Sequence, residues 1–381
     1  MPDMKNMMLT PSLCITPPHI LRAIAANGSP AQRQMALQTL TASEQFRGQR
    51  KIMREVLSFL AMFGAEGKQR FVYDARFGGQ LPGVLVRQEG EPAIGDAAVN
   101  EAYDGAGATY DLFFQVFGRN SIDNRGMRLD STVHYQQGYD NAFWNGQQMV
   151  YGDGDEDLPP EERLFNRFTS ALDVIGHELT HGVTQFEADL AYWDQSGALN
   201  ESMSDVFGSL VKQFQRRQTA AEADWLIGEG LFTSNVKGAG LRSMKAPGTA
   251  YDDPILGKDP QPAHMRDYVT TADDNGGVHI NSGIPNRAFY VTAFELGGFA
   301  WEKAGRVWYK VLTEKLGARS TFQDAANLTF EAAGELFGAG SLEQQAVKTG
   351  WAEVGIAIGG NEAGEGCLTA FLRRVGLLPR G

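Results

Sequence analysis

The sequence predicts an α+β protein with a strand-rich first half, a mainly helical second half and a short helical segment in front. Three observations carry this. Between residues 71 and 151, short apolar runs are separated by glycine-rich turns. After residue 163 the apolar residues recur at helical spacing over longer stretches. Near that change of pattern stands His177-Glu178-Leu179-Thr180-His181, whose two histidines share one helix face because positions i and i+4 stack above each other.

Taken in chain order, the first 60 or so residues hold Ile15-Thr16-Pro17-Pro18-His19-Ile20-Leu21, then helical patterns over 32–41 and 44–60. A segment of that size rarely folds alone, so docking on the rest is its expected source of order. Before residue 30 there is no apolar run of the length a secretory signal needs, and Pro17-Pro18 interrupts what there is. Strands are expected around Val84-Leu85-Val86, Val133-His134-Tyr135 and Gln148-Met149-Val150-Tyr151. Helices are expected over 165–184, 200–217, 283–296, 301–316 and 321–336. The tail after Ile356 begins at Gly359-Gly360, and its stretch 368–375 reads as a small amphipathic helix of no assigned role.

Composition fits an enzyme and excludes several other classes. A chain of 381 residues that is 43% hydrophobic can form two or more domains with proper cores. The net charge of −12, with no basic stripe to offset it, argues against nucleic acid or an anionic membrane as partner. No stretch approaches the roughly 20 apolar residues of a membrane span. The chain is therefore expected to be cytoplasmic as synthesised, with secretion only by a nonclassical route, and nothing demands more than a monomer. Cys14 and Cys367, the two cysteines, lie near opposite ends and are not spaced for a metal.

The paired histidines point to zinc-assisted hydrolysis. Neutral imidazole nitrogens suit zinc, a catalytic zinc keeps a position for water, and Glu178 is placed to take that water's proton. A third ligand is expected on a second helix, where Asn200-Glu201-Ser202-Met203-Ser204-Asp205 offers Glu201. Asp205, at i+4 from Glu201, can accept the outer N–H of His177 and fix its tautomer.

These blocks resemble the thermolysin-like neutral metalloproteases. Two more in the same order strengthen the likeness: the stretch from Gly138 to Gly146, similar to the family's substrate-binding edge strand, and Asp274-Asn275-Gly276-Gly277-Val278-His279, similar to its catalytic-histidine loop. The resemblance covers about residues 71 to 356. It implies a zinc endopeptidase in which His177, His181 and Glu201 hold the metal and Glu178 activates the water. Tyr192 and His279 become donors to the oxyanion, with Asp274 orienting His279. Asn141, Ala142 and Arg242 bind the substrate backbone. Phe168, Val174, Ile227, Leu231 and Leu241 line the pocket for the residue after the scissile bond, all apolar, so Leu, Phe, Ile or Val is expected there.

Calcium is where the sequence departs from its relatives. Asp173, Asp224 and Glu229 match acidic ligands of the family's double site, but Lys212 and Leu226 stand where further acids would be, and Ala239 replaces an acid of another calcium loop. At most one calcium is expected, with a weaker response to chelators. The front segment resembles the short propeptide of the protealysin-like branch, which implies that it inhibits its own enzyme. Apolar Phe59, Leu60, Met62 and Phe63 suggest self-cleavage between 58 and 68. A thiolate of Cys14 near the metal is a further option. The expected division is a propeptide over 1–62, a strand-rich domain with the zinc helix over 63–190, a helical domain over 191–356 and an extension over 357–381. Two other readings stay open. A zinc aminopeptidase would need an acidic site for a free amine, which has no motif here. A noncatalytic protein-binding module on a protease fold would have no need of Glu178, Tyr192 and His279 together.

Overall fold

A computed structural model describes residues 13–43 and 67–359. The expected helix over 44–60, the cleavage window except for residues 67–68, Cys367 and the tail from residue 360 lie outside them. The strand-rich half is a six-stranded sheet in the order β1-β5-β6-β4-β2-β3. Its members are β1 (Leu13–Cys14), β2 (Arg70–Asp74), β3 (Val84–Gln88), β4 (Leu129–Val133), β5 (Ala142–Trp144) and β6 (Met149–Tyr151). The three expected strand sites lie in or beside β3, β4 and β6. β4 stops at Val133 because His134 takes a left-handed conformation, with φ 53°.

The front segment forms α1 (Pro18–Asn27) and a second helix, α2, described over 30–43. Pro18 at the first helical position supplies a φ suited to the start of α1. α1 buries Ile20, Leu21 and Ile24 in the core of the rest of the chain. At about 1.5–3 kcal/mol for each fully buried aliphatic side chain, this docking can order a segment too small to fold alone. Polar contacts complete it, from Ser29 Oγ to Glu162 (2.7 Å) and from Gln32 Nε2 to the Glu162 carbonyl (2.6 Å).

The strand-rich half also contains a helix that the sequence pattern did not mark, α3 (Ala97–Phe117). Asp96 caps it, and its interior is rich in Ala and Gly and buried on most sides, so no single apolar stripe stands out. The helical half follows: α4 (Leu172–Phe186), α5 (Asp194–Arg216), the kinked α6 (Asp274–Asn281), α7 (Gly283–Leu296), α8 (Ala304–Glu314), α9 (Phe322–Phe337) and α10 (Leu342–Glu353). α6 and α10 were also unmarked by the sequence. α4 and α5 cross at glycines. A Cβ on Gly176 would come within 3.0 Å of the Gly208 Cα, and one on Gly208 within 2.5 Å of the Asp173 carbonyl oxygen. This close approach brings His177 and His181 on α4 against Glu201 on α5.

Candidate active site

His177, His181 and Glu201 are completely buried, and one ligand atom from each lies within 4.8 Å of the others. Among the described residues this is the group of three or more such side chains able to hold a metal. Each histidine is oriented from behind. Nδ1 of His177 donates to Asp205 Oδ1 (2.8 Å), and Nδ1 of His181 lies 2.8 Å from Asn200 Oδ1 and 2.9 Å from Ser204 Oγ. Both rings therefore turn Nε2 toward Glu201, at 3.5 Å in each case. His177 Nε2 and Glu201 Oε2 are buried without a hydrogen bond. Two imidazole nitrogens and a carboxylate oxygen meeting where all three side chains are fully buried are the donor set zinc takes, so the residues present fit it.

Glu178 lies on the same helix turn. Its Oε2 accepts the backbone N–H of Trp144 on β5 (2.9 Å), which ties the carboxylate to the sheet edge. Tyr192 donates its hydroxyl to Glu201 and lies 3.1 Å from His279 Nε2. His279 Nδ1 donates to Asp274 Oδ1 (2.7 Å), and Nε2 donates to the Cys14 carbonyl (3.0 Å). Since neither acceptor can donate, the ring is an imidazolium. Burial opposes that charge, but Asp274 and then Glu201 push the pKa of His279 up to about 9. Burial also raises Tyr192 well above the usual phenol range, with Glu201 adding to the effect, and the hydroxyl keeps its proton.

Asp205 joins the metal cluster to Arg242 and to α7. Its carboxylate also accepts Arg242 Nε and Nη2 (both 2.8 Å) and Asn286 Nδ2 (2.8 Å). Against the cost of complete burial, Arg242 and His177 hold Asp205 well below the ordinary carboxylate range. Asn200, Ser204 and Asn286 carry no motif of their own. The first two could have been sought as partners for the inner nitrogen of His181, one helix turn apart beside Glu201. Asn286, on α7, has no such signal.

The groove is filled by the front segment. β1 pairs antiparallel with β5, matching Leu13 to Trp144 and Cys14 to Phe143. Ile15 N–H donates to the Ala142 carbonyl (3.1 Å), and Thr16 N–H donates to Asn141 Oδ1 (2.9 Å). Arg242 Nη1 donates to the Ile15 carbonyl (3.1 Å). The Ile15 side chain is buried in the same apolar cluster as Phe168, Val174, Ile227, Leu231 and Leu241. Cys14 packs with Tyr135, Tyr139, Phe143 and Val150, and the metal-binding group is made of His177, His181 and Glu201.

The three acids matched to calcium surround an ammonium. Lys212 Nζ lies 2.8 Å from Asp173, 2.8 Å from Asp224 and 3.8 Å from Glu229, and donates to the Leu226 carbonyl (2.9 Å). Burial disfavours its charge, yet Asp173 and Asp224 raise its pKa.

Comparison with known proteins agrees with this arrangement. The thermolysin metallopeptidase catalytic domain matches residues 67–185, and the α-helical domain of the same peptidases matches 188–356. The protealysin propeptide matches 14–55. An extracellular metalloprotease of Pectobacterium carotovorum subsp. carotovorum is 52% identical over 349 residues, covering 91% of this chain and 97% of the relative. Protease PrtS of Photorhabdus sp. (strain Az29) is 48% identical, over 90% of this chain and 92% of its own. The solved precursor of protealysin, a metalloproteinase from Serratia proteamaculans, superimposes with a TM-score of 0.82 at 53% identity, covering 91% of this chain and 100% of that one.

Proposed function

This chain belongs to the thermolysin metallopeptidase family and carries a protealysin propeptide, so it is a metalloendopeptidase made as a zymogen, and from that premise we propose the role of each residue. His177, His181 and Glu201 hold one zinc ion. When bound, zinc supplies Lewis-acid polarisation of the peptide carbonyl and lowers the pKa of water. Glu178 takes the proton of the attacking water and returns it to the leaving amine. Tyr192 and the imidazolium of His279 donate to the oxygen that gains negative charge, a contact stronger in the transition state than before it. Asp274 keeps His279 charged. Arg242 grips the carbonyl after the scissile bond, while Asn141 and Ala142 pair with the extended backbone.

The observation that carries this reading is the seat of residues 14–16. A peptide lies across His279, Ala142, Arg242 and Asn141 with one carbonyl or N–H on each, and its isoleucine is buried in the core cluster that also holds the pocket residues. The pocket therefore selects Leu, Phe, Ile or Val after the cut bond, and the propeptide inhibits by filling the groove. The expected boundaries place the propeptide at 1–62 and the two catalytic domains at 63–190 and 191–356, with 357–381 of no assigned role. We further propose that Lys212 occupies the place of a calcium ion among Asp173, Asp224 and Glu229. The relatives' names suggest that the enzyme works outside the cell, and no described helix is long and apolar enough to cross a membrane.

The test compares zinc-loaded full-length protein with its Glu178→Ala variant on a peptide carrying Leu after the scissile bond. Removal of a general base should lower the rate by about 10²–10⁴-fold. An unmutated protein that binds zinc but cleaves nothing, itself included, would support the noncatalytic binding module instead.

A further inference from the structure

We propose that the Cys14–Ile15 bond is itself a substrate of the enzyme that carries it, so that maturation includes a cut inside the propeptide, distinct from the cut that detaches it. The inference rests on the site roles given above. β1 adds to β5 as an antiparallel strand, a peptide joined to a sheet edge by backbone hydrogen bonds. The carbonyl in front of the cut, that of Cys14, is the one held by His279. Ile15, after the cut, gives its N–H to Ala142 and its carbonyl to Arg242, and its side chain is buried in the core cluster that includes Phe168, Val174, Ile227, Leu231 and Leu241. Thr16, one further on, donates to Asn141. All four backbone contacts agree on a single bond, and the residue after it is apolar and buried.

Hydrolysis at this bond consumes one water and no other reactant. The water oxygen joins the Cys14 carbonyl carbon, the C–N bond to Ile15 breaks, and the proton taken by Glu178 goes to the Ile15 nitrogen. The products are a carboxylic acid at Cys14 and an amine at Ile15. Their fates differ because their anchors differ. Ile15 continues into α1, held by Ile20, Leu21 and Ile24 in the main core, whereas the described residues before the cut are held by the pairing of β1 with β5, the His279 contact and the packing of Cys14 in a smaller cluster. The leading fragment leaves first. The half of the groove before the scissile bond then opens while the apolar pocket stays filled, giving a nicked form that precedes full release.

The experiment incubates zinc-loaded full-length protein, its Glu178→Ala variant and an Ile15→Asp variant, following intact mass and fragment termini over time. In parallel, hydrolysis of the Leu peptide is measured. The unmutated chain should yield a fragment ending at Cys14 and another beginning at Ile15, and Glu178→Ala should yield neither. Ile15→Asp puts a charge into the apolar pocket and should slow this cut at least tenfold, while the matured enzyme hydrolyses the Leu peptide at the unmutated rate. A readout independent of turnover is hydrogen exchange in Glu178→Ala. The amides of Ile15 and Thr16 should be protected, and the protection should fall when Ile15→Asp is added. An intact Cys14–Ile15 bond in a preparation that has detached its propeptide and cleaves the Leu peptide overturns the proposal and leaves the site roles standing. Unprotected amides at Ile15 and Thr16 overturn it as well. A zinc-loaded chain that cuts neither itself nor the peptide defeats both readings.

Discussion

Asp205 receives four hydrogen bonds on one buried carboxylate, from His177, twice from Arg242, and from Asn286. A charge so placed is tolerable only while its lone pairs are occupied. Asn286→Leu removes one donor and should cost about 1.5–3 kcal/mol, the range for hydrogen bonds to charged groups, measured by urea unfolding. It should also weaken zinc retention, because the loosened carboxylate orients His177. An unfolding midpoint equal to that of the unmutated protein would show that Asn286 is a bystander. The members of this network differ in how readable they are in the sequence. His177, His181, Glu201 and Asp205 are legible because one helix turn relates each pair. Asn286 is 81 residues beyond Asp205 and meets it only through the packing of α7 on α5, which no local spacing encodes.

His134 ties two elements together at the end of β4. Its Nε2 contacts Asp96, the cap of α3, at 2.9 Å, and its Nδ1 contacts Asp153, beyond β6, at 2.8 Å. The Asp153 hydrogen bond, against partial burial and with help from Asp96, raises its pKa from 6.5 to about 9. The folded state thus binds the proton more tightly than the unfolded chain. The stabilisation is complete below about pH 6.5 and is lost as pH rises through 9. His134→Gln should therefore lower stability more at pH 6 than at pH 10, as read from urea midpoints at both values, whereas a cost independent of pH would mean that the proton plays no part. An element with one buried face, such as α9, followed its periodicity closely. α3 escaped because a helix buried on most sides loses the amphipathic stripe that marks a surface helix, and His134 ended a strand that its apolar neighbours would have extended.

At the scale of the whole molecule, a buried ammonium joins acids from different elements. Lys212 neutralises Asp173 and Asp224 where α5 meets the loop before β7 (Leu226–Ile227). Lys212→Ala leaves buried Asp173 without its counter-charge and should cost about 3–5 kcal/mol, measured as a loss of denaturant stability. The unmutated protein should keep its melting temperature when calcium is chelated selectively, and a fall of many degrees would contradict the proposed role of Lys212. The division into strand-rich and helical halves could be read from the period of the apolar residues. The seat of the propeptide could not, since Thr16 meets Asn141 across 125 residues, and that pairing depends on the completed groove.

The pairing of β1 with β5 has a consequence for what the mature enzyme can attack. Without β1, β5 is the outer strand of the catalytic sheet, with backbone groups available for another chain to join. Only polypeptide that can lie fully extended satisfies them, and residues inside a helix or an internal strand already spend those groups on their own fold. The enzyme therefore senses the conformational state of its target before its sequence. A compact protein will be cut at sites where local opening exposes an extended stretch with a large apolar residue, and its lifetime will follow the free energy of that opening.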